Sequence, residues 1–206
     1  MATDHILIQS SIASQFLETL KGRLSAMASG SQPLPHVVTL SSKTRLEKPI
    51  ADTVEKGADV FFGSNGKNSP PGIAFAPTTL SGVKKSAKLW NDEAFGPLAA
   101  YSLFETQEEA VEMANDQPYG LSAAVFTRGL RKGFRVAKLL ESGYGDYSGG
   151  FLQLLTMHSA VHINGMTDHD EPSLPFGGVK NSGWGRFNAD YGMEEFLVTK
   201  RVTWDE

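Results

Sequence analysis

An α/β domain with a largely parallel sheet flanked by helices is the architecture that this sequence predicts. Two observations predict it. Apolar runs of strand length alternate with stretches of helical periodicity from His5 to Asn164, the order that produces parallel strands joined through helices. The 206 residues are 40% hydrophobic and 20% charged, enough apolar material for one substantial core. In such a sheet, functional loops are expected at the carboxyl ends of the strands.

The elements follow in order. His5 to Gln9 reads as a strand, and Ile12, Phe16, Leu20 and Leu24 then recur every fourth residue, with Ser10 or Ser11 placed to cap a helix. After the turn-rich stretch from Gly30 to Pro35, Leu46, Ile50 and Val54 mark a second helix ending at Gly57, where a left-handed cap suits glycine. Asp59 to Gly63 is a short buried strand, residues 64 to 72 a loop, and Gly72 to Ala76 and Leu98 to Phe104 further strands. Thr106 and Glu109 have the spacing of a capping box ahead of a helix to Asn115. Leu121 to Thr127 returns as a strand, Leu130 to Leu140 as a helix stopped by Gly143, and Ala160 to Asn164 as a strand. Phe196 to Trp204 is β-rich and leaves the main body.

Composition removes several function classes. A net charge of −4 with no long run of either sign predicts neither a nucleic-acid nor a membrane partner. No apolar run approaches the roughly 18 residues of a membrane span, and MATDHILIQSS has no basic leader or hydrophobic core of a signal; a cytoplasmic protein is expected. With no cysteine, thiolate metal sites, disulfides and thiol nucleophiles within these residues are excluded. His162, His169, Asp170 and Glu171 are the densest potential metal ligands, but the histidines are seven apart, so an ordinary polar loop is the expectation and no metal is assigned. GGVKNSGWGR lacks the spacing of a dinucleotide loop, and the serine of GYGDYSGG lacks that of a hydrolase elbow. Glu93 precedes a Phe-Gly-Pro turn that holds it at a loop edge.

Four ordered segments carry a family resemblance: Glu93-Ala-Phe-Gly-Pro97, Asn115-Asp-Gln-Pro-Tyr-Gly-Leu121, Val161-His-Ile-Asn-Gly165, and the run from Pro175 to Arg186, PFGGVKNSGWGR. They resemble signatures of the aldehyde dehydrogenase catalytic domain, and HINGMTDHDEPSLPFGG is most similar to the branch acting on aromatic aldehydes such as salicylaldehyde and vanillin. The resemblance implies the fold already read from the residues, with a closing oligomerisation-type strand. It divides the chain into a catalytic-domain part, residues 1–195, and that strand, residues 196–206. It implies NAD or NADP as cofactor, with Glu93 at the nicotinamide ribose and Phe95 near the nicotinamide, and it places Met166, His169 and Phe176 along the aldehyde entrance.

By the same resemblance, Met1 follows the position of the nucleophilic cysteine. The glutamate base, the oxyanion asparagine and the nucleotide-binding domain belong to the region before it. The expectation is therefore a truncated protein with no catalytic residue of its own that neither binds the cofactor nor oxidises aldehydes alone. Tyr144 to Ser159 interrupts the family pattern by sixteen residues, either as a functional loop or as a translated intron, and its apolar content favours the intron. Two other functions follow from different features. The closing strand predicts a homo- or hetro-oligomer, as an interaction subunit for a full-length dehydrogenase, and Glu93 or His169 suggests acid–base chemistry on a carbonyl without redox.

Overall fold

The computed structural model describes residues 3–29, 34–141, 160–198 and 200–204, and the chain divides into two compact units, Met1–Gln117 and Pro118–Glu206. The first unit contains β1 (His5–Gln9), α1 (Ser10–Ser29), α2 (Leu40–Glu55), β2 (Asp59–Phe62), β3 (Thr78–Ser81), α3 (Lys88–Asn91), β4 (Leu98–Phe104) and α4 (Gln107–Asn115). Its four strands lie in the order β1-β4-β3-β2. β1 and β3 both run parallel to β4, and β2 is antiparallel to β3. The largely parallel sheet with flanking helices is thus present.

Helix α2 shows how apolar spacing becomes core. Leu46, Ile50 and Thr53 fall on one helical face and are all but fully buried. Leu46 and Ile50 join Phe75, Leu80, Trp90, Leu98 and Ala100 in one apolar cluster. The helix starts earlier than the Leu46 pattern indicates, because Thr39 caps it by accepting from the Ser42 amide at 3.0 Å. It ends with Gly57 at φ 95°, the left-handed stop expected there.

Strand β3 departs from the sequence reading. Gly72 to Ala76 forms only an isolated bridge, Ala74 against His36, and the ladder strand is the next segment, Thr78–Ser81. TTLS looks like a polar loop, yet Thr78 and Thr79 are buried at the centre of the sheet. The Thr78 hydroxyl donates to the Ala76 carbonyl at 3.0 Å and accepts from the Ser64 amide at 3.1 Å, which removes the cost of burying it.

Helix α1 is continuous, but neither expected cap serves it: the Ser10 hydroxyl instead donates to the Phe104 carbonyl at 3.2 Å, fastening the helix start to the end of β4. Thr106 does cap α4, accepting from the Glu109 amide at 3.2 Å. The Glu109 carboxylate accepts from the Glu105 amide, one residue before the usual capping-box partner.

The second unit has β5 (Tyr119–Gly120) antiparallel to β8 (Val179–Lys180), and β6 (Ser122–Val125) parallel to β7 (Ala160–Ile163). Helices α5 (Leu130–Ala137) and α6 (Ala189–Glu194) complete it. α5 closes at Ala137, short of Gly143; both Gly143 and the segment from Tyr144 to Ser159 lie outside the described residues. Phe196 to Trp204 finds no ladder partner within the chain among the described residues. Among those residues no helix is long and apolar enough to cross a membrane.

Candidate active site

In the first unit the segment from Asp92 to Pro97 turns the chain from α3 into β4, and several of its peptides are held. Gly96 is required, since a Cβ there would stand 2.5 Å from Leu46 Cδ1 in the core. The Pro97 carbonyl accepts from the Thr78 amide at 2.9 Å, beginning the β3–β4 pairing. From α2, Arg45 donates to the carbonyls of Ala94 (2.8 Å) and Phe95 (3.2 Å). Ala94 is anchored in the core, while Phe95 takes a left-handed φ of 48° and leaves its side chain 74% exposed. That conformation costs a non-glycine residue about 1–2 kcal/mol, so the contacts around it determine whether it persists. Glu93 lies half-buried beside it, and burial raises its pKa above the usual carboxylate value.

Two ionisable residues at the head of β1, Asp4 and His5, adjoin this turn. Asp4 accepts from the Ala94 amide through Oδ2 at 3.4 Å, while its Oδ1 is buried without a partner. Its pKa is pushed up to about 6, chiefly by burial and further by the charge of Glu93, with the Ala94 amide opposing. His5 packs edge-on against Trp90 at 5.4 Å, and burial pushes its pKa down to about 4. A charged or titratable pair opening an apolar strand was the available signal for them.

The turn therefore sits at the amino end of β4 and beside the amino end of β1, where Ala100 pairs with His5. Glu93 is carried by the connection that enters a strand, at the end opposite the carboxyl ends where functional loops are expected. The loop bearing Met166 and His169 does follow that rule, leaving the carboxyl end of β7.

In the second unit Asn164 ends β7 at φ 57° and stitches it to the end of β6. Its side chain accepts from the Thr127 amide at 2.8 Å and donates to the Thr127 carbonyl at 2.9 Å, while its own amide donates to Val125. Beyond it, Met166 and His169 are exposed. The His169 ring meets His162 edge-on at 5.8 Å, and His162 Nε2 is buried without a partner. Burial first, and then the neighbouring His169, lowers the His162 pKa against the opposing charge of Asp168. Phe176 is placed differently from the other two: it is buried against Phe187 at 5.3 Å, and the two backbones bond reciprocally. Asp170 accepts from Asn188, and Glu171 from the Ser173 hydroxyl. Among the described residues no three His, Asp or Glu side chains converge on a metal position. A shallow hollow of about 340 Å³, lined by residues including Trp184, Arg186 and Glu195, contains none of Met166, His169 and Phe176.

The model of the aldehyde dehydrogenase family matches residues 1–202. The chain belongs to the aldehyde dehydrogenase family. It is 33% identical to a vanillin dehydrogenase of Pseudomonas fluorescens over 98% of its own length and 39% of that enzyme's. It is 32% identical to a salicylaldehyde dehydrogenase of Pseudomonas putida, over 98% of this chain and 39% of that one. Among solved structures, a variant betaine aldehyde dehydrogenase of Staphylococcus aureus in complex with NAD+ matches with a TM-score of 0.79. That protein is 29% identical, with 96% of this chain and 38% of that one covered. The chain thus spans about two fifths of the curated aldehyde dehydrogenases it matches, aromatic-aldehyde enzymes among them.

Proposed function

We propose that these residues form the cofactor-facing and aldehyde-facing part of an NAD(P)-dependent dehydrogenase of aromatic aldehydes, and that they do not oxidise aldehydes by themselves. The observation that carries this reading is the Glu93–Phe95 turn, which presents an exposed aromatic ring on a fixed left-handed backbone next to a half-buried carboxylate. A nicotinamide riboside would suit that pair: Phe95 would offer its ring a stacking face, and Glu93 would accept from its ribose hydroxyls. The bound cofactor would supply the hydride acceptor. Met166 and His169, exposed on the loop after β7, and Phe176, buried against Phe187, are assigned to the aldehyde entrance.

The nucleophile has to come from elsewhere, since the 206 residues contain no cysteine and a hydroxyl is a far weaker nucleophile near neutral pH. The purified chain, mixed with NAD+ or NADP+ and vanillin, salicylaldehyde or benzaldehyde, is expected to give no absorbance rise from reduced cofactor above a protein-free control. A rise above the control would overturn the claim of inactivity.

The closing residues favour a second role. Phe196, Val198 and Trp204 are 88%, 93% and 79% exposed without a ladder partner among the described residues, as expected of a strand that completes its pairing on another chain. Light scattering coupled to gel filtration tests it: a dimer or larger assembly that reverts to monomer when residues 196–206 are deleted supports the role, and a monomeric parent excludes self-association.

A further inference from the structure

We infer that Asp4 and Arg45 are positioning residues that set the conformation of the Glu93–Phe95 turn. This rests on the reading of Glu93 and Phe95 as the cofactor-contacting pair. Phe95 holds a left-handed φ of 48° although it has a β-carbon, and such a residue stays there only when its surroundings leave no alternative.

Three successive peptide groups are gripped. Asp4 takes the Ala94 N–H, and Arg45 takes the carbonyls of Ala94 and Phe95 at 2.8 and 3.2 Å with two guanidinium nitrogens. The rigid fork spans adjacent carbonyls, which a lysine ammonium on a flexible stem cannot match. Arg45 acts from α2 and Asp4 from the chain entering β1, so two separate elements fix one turn. Neither side chain needs to touch a ligand to decide where the Glu93 carboxylate and the Phe95 ring point.

The Asp4 grip is also proton-dependent. Glu93 on the turn acts on its charge, His5 adjoins it in the chain, and Arg45 reaches the neighbouring carbonyls of Ala94 and Phe95 from α2. A carboxylate accepts from the Ala94 amide more strongly than the neutral acid does. With the Asp4 pKa raised to about 6, the hold loosens on acidification through that pH.

NMR of the labelled 206-residue chain tests this. In the parent, the Phe95 backbone shifts should report a left-handed residue, and the Ala94 amide should titrate with a midpoint near 6. Asp4→Asn should abolish that titration. Arg45→Ala should move the Phe95 shifts out of the left-handed range, and Arg45→Lys should fail to restore them. Methyl shifts of Ile50 and Leu80 report whether each variant keeps its core, and Arg45→Lys carries the measurement if Arg45→Ala unfolds. Unchanged Phe95 shifts in a folded Arg45 variant, or an Ala94 titration that survives Asp4→Asn, would overturn the inference. Adding millimolar NAD+ to the parent tests the cofactor reading separately: unperturbed Glu93 and Phe95 resonances would remove that reading, while the turn's dependence on Asp4 and Arg45 would still be decided by the variants.

Discussion

On one face of the first unit's sheet, Leu98 and Ala100 of β4 are 2% exposed and share a cluster with Leu46, Ile50 and Leu80. By strand alternation Leu103 points to the other face, where it is 45% exposed, while α1 leaves Ile12 53% and Phe16 39% exposed. Among the described residues of α1, Ala13 is the buried one, like Ile8 outside the cluster. The helical repeat of Ile12, Phe16, Leu20 and Leu24 is as regular as that of α2, so periodicity reports that a helix forms and not what covers it. The core face is closed by the chain itself, and the α1 face has apolar area to spare for a further layer.

Leu46→Ala should break the contrast most strongly. Emptying a buried site is expected to cost about 2–5 kcal/mol, read from urea unfolding. Gly96→Ala should cost about 1–3 kcal/mol, because the new methyl would be driven onto Leu46. The double variant should be less destabilised than the sum, since removing the Leu46 side chain opens the space that the methyl needs. If the two costs simply add, the close contact is not what makes Gly96 necessary.

On the other face, Ile12→Ser should change stability by no more than about 0.5 kcal/mol and should reduce self-association in light scattering. A loss comparable to that of Leu46→Ala would show that α1 is as well covered as α2.

The smallest net effect is expected from pH. Asp4 binds a proton in the folded state up to about pH 6 against an ordinary 3.8, so it contributes a loss of stability as pH rises through that window. His5 titrates at about 4 against an ordinary 6.5, so it contributes a gain as pH rises over nearly the same range. The two contributions oppose between about pH 4 and 6. Unfolding curves of Asp4→Asn, relative to the parent, should therefore gain stability with rising pH there, and those of His5→Phe should lose it. Parallel pH profiles for parent and both variants would refute the opposition.

Strands β1, β4 and β7 and the helix spacing of α2 were legible from their apolar patterning, which coincides with burial in β4 and α2. β3 was not, because its threonines read as polar although they are buried, and Thr78 is satisfied by the Ala76 carbonyl and the Ser64 amide, which no apolar pattern records. At the candidate site, motif likeness picked out Glu93 and Phe95, but the residues that hold their backbone come from positions 48 or more away and carry no motif. Phe176 shows the reverse: the motif marks it, and the fold uses it for packing against Phe187.

The stitch made by Asn164 has a chemical consequence. Asparagine followed by glycine, as in Asn164-Gly165, is the dipeptide most open to spontaneous deamidation, in which the next backbone nitrogen attacks the side-chain amide carbon. Here both ends of that amide are bonded to Thr127, so the side chain cannot swing back to be attacked while β6 and β7 stay joined. Ageing at this position becomes a clock for the opening of that strand pair, one that peptide mass spectrometry can read from the isoaspartate left behind.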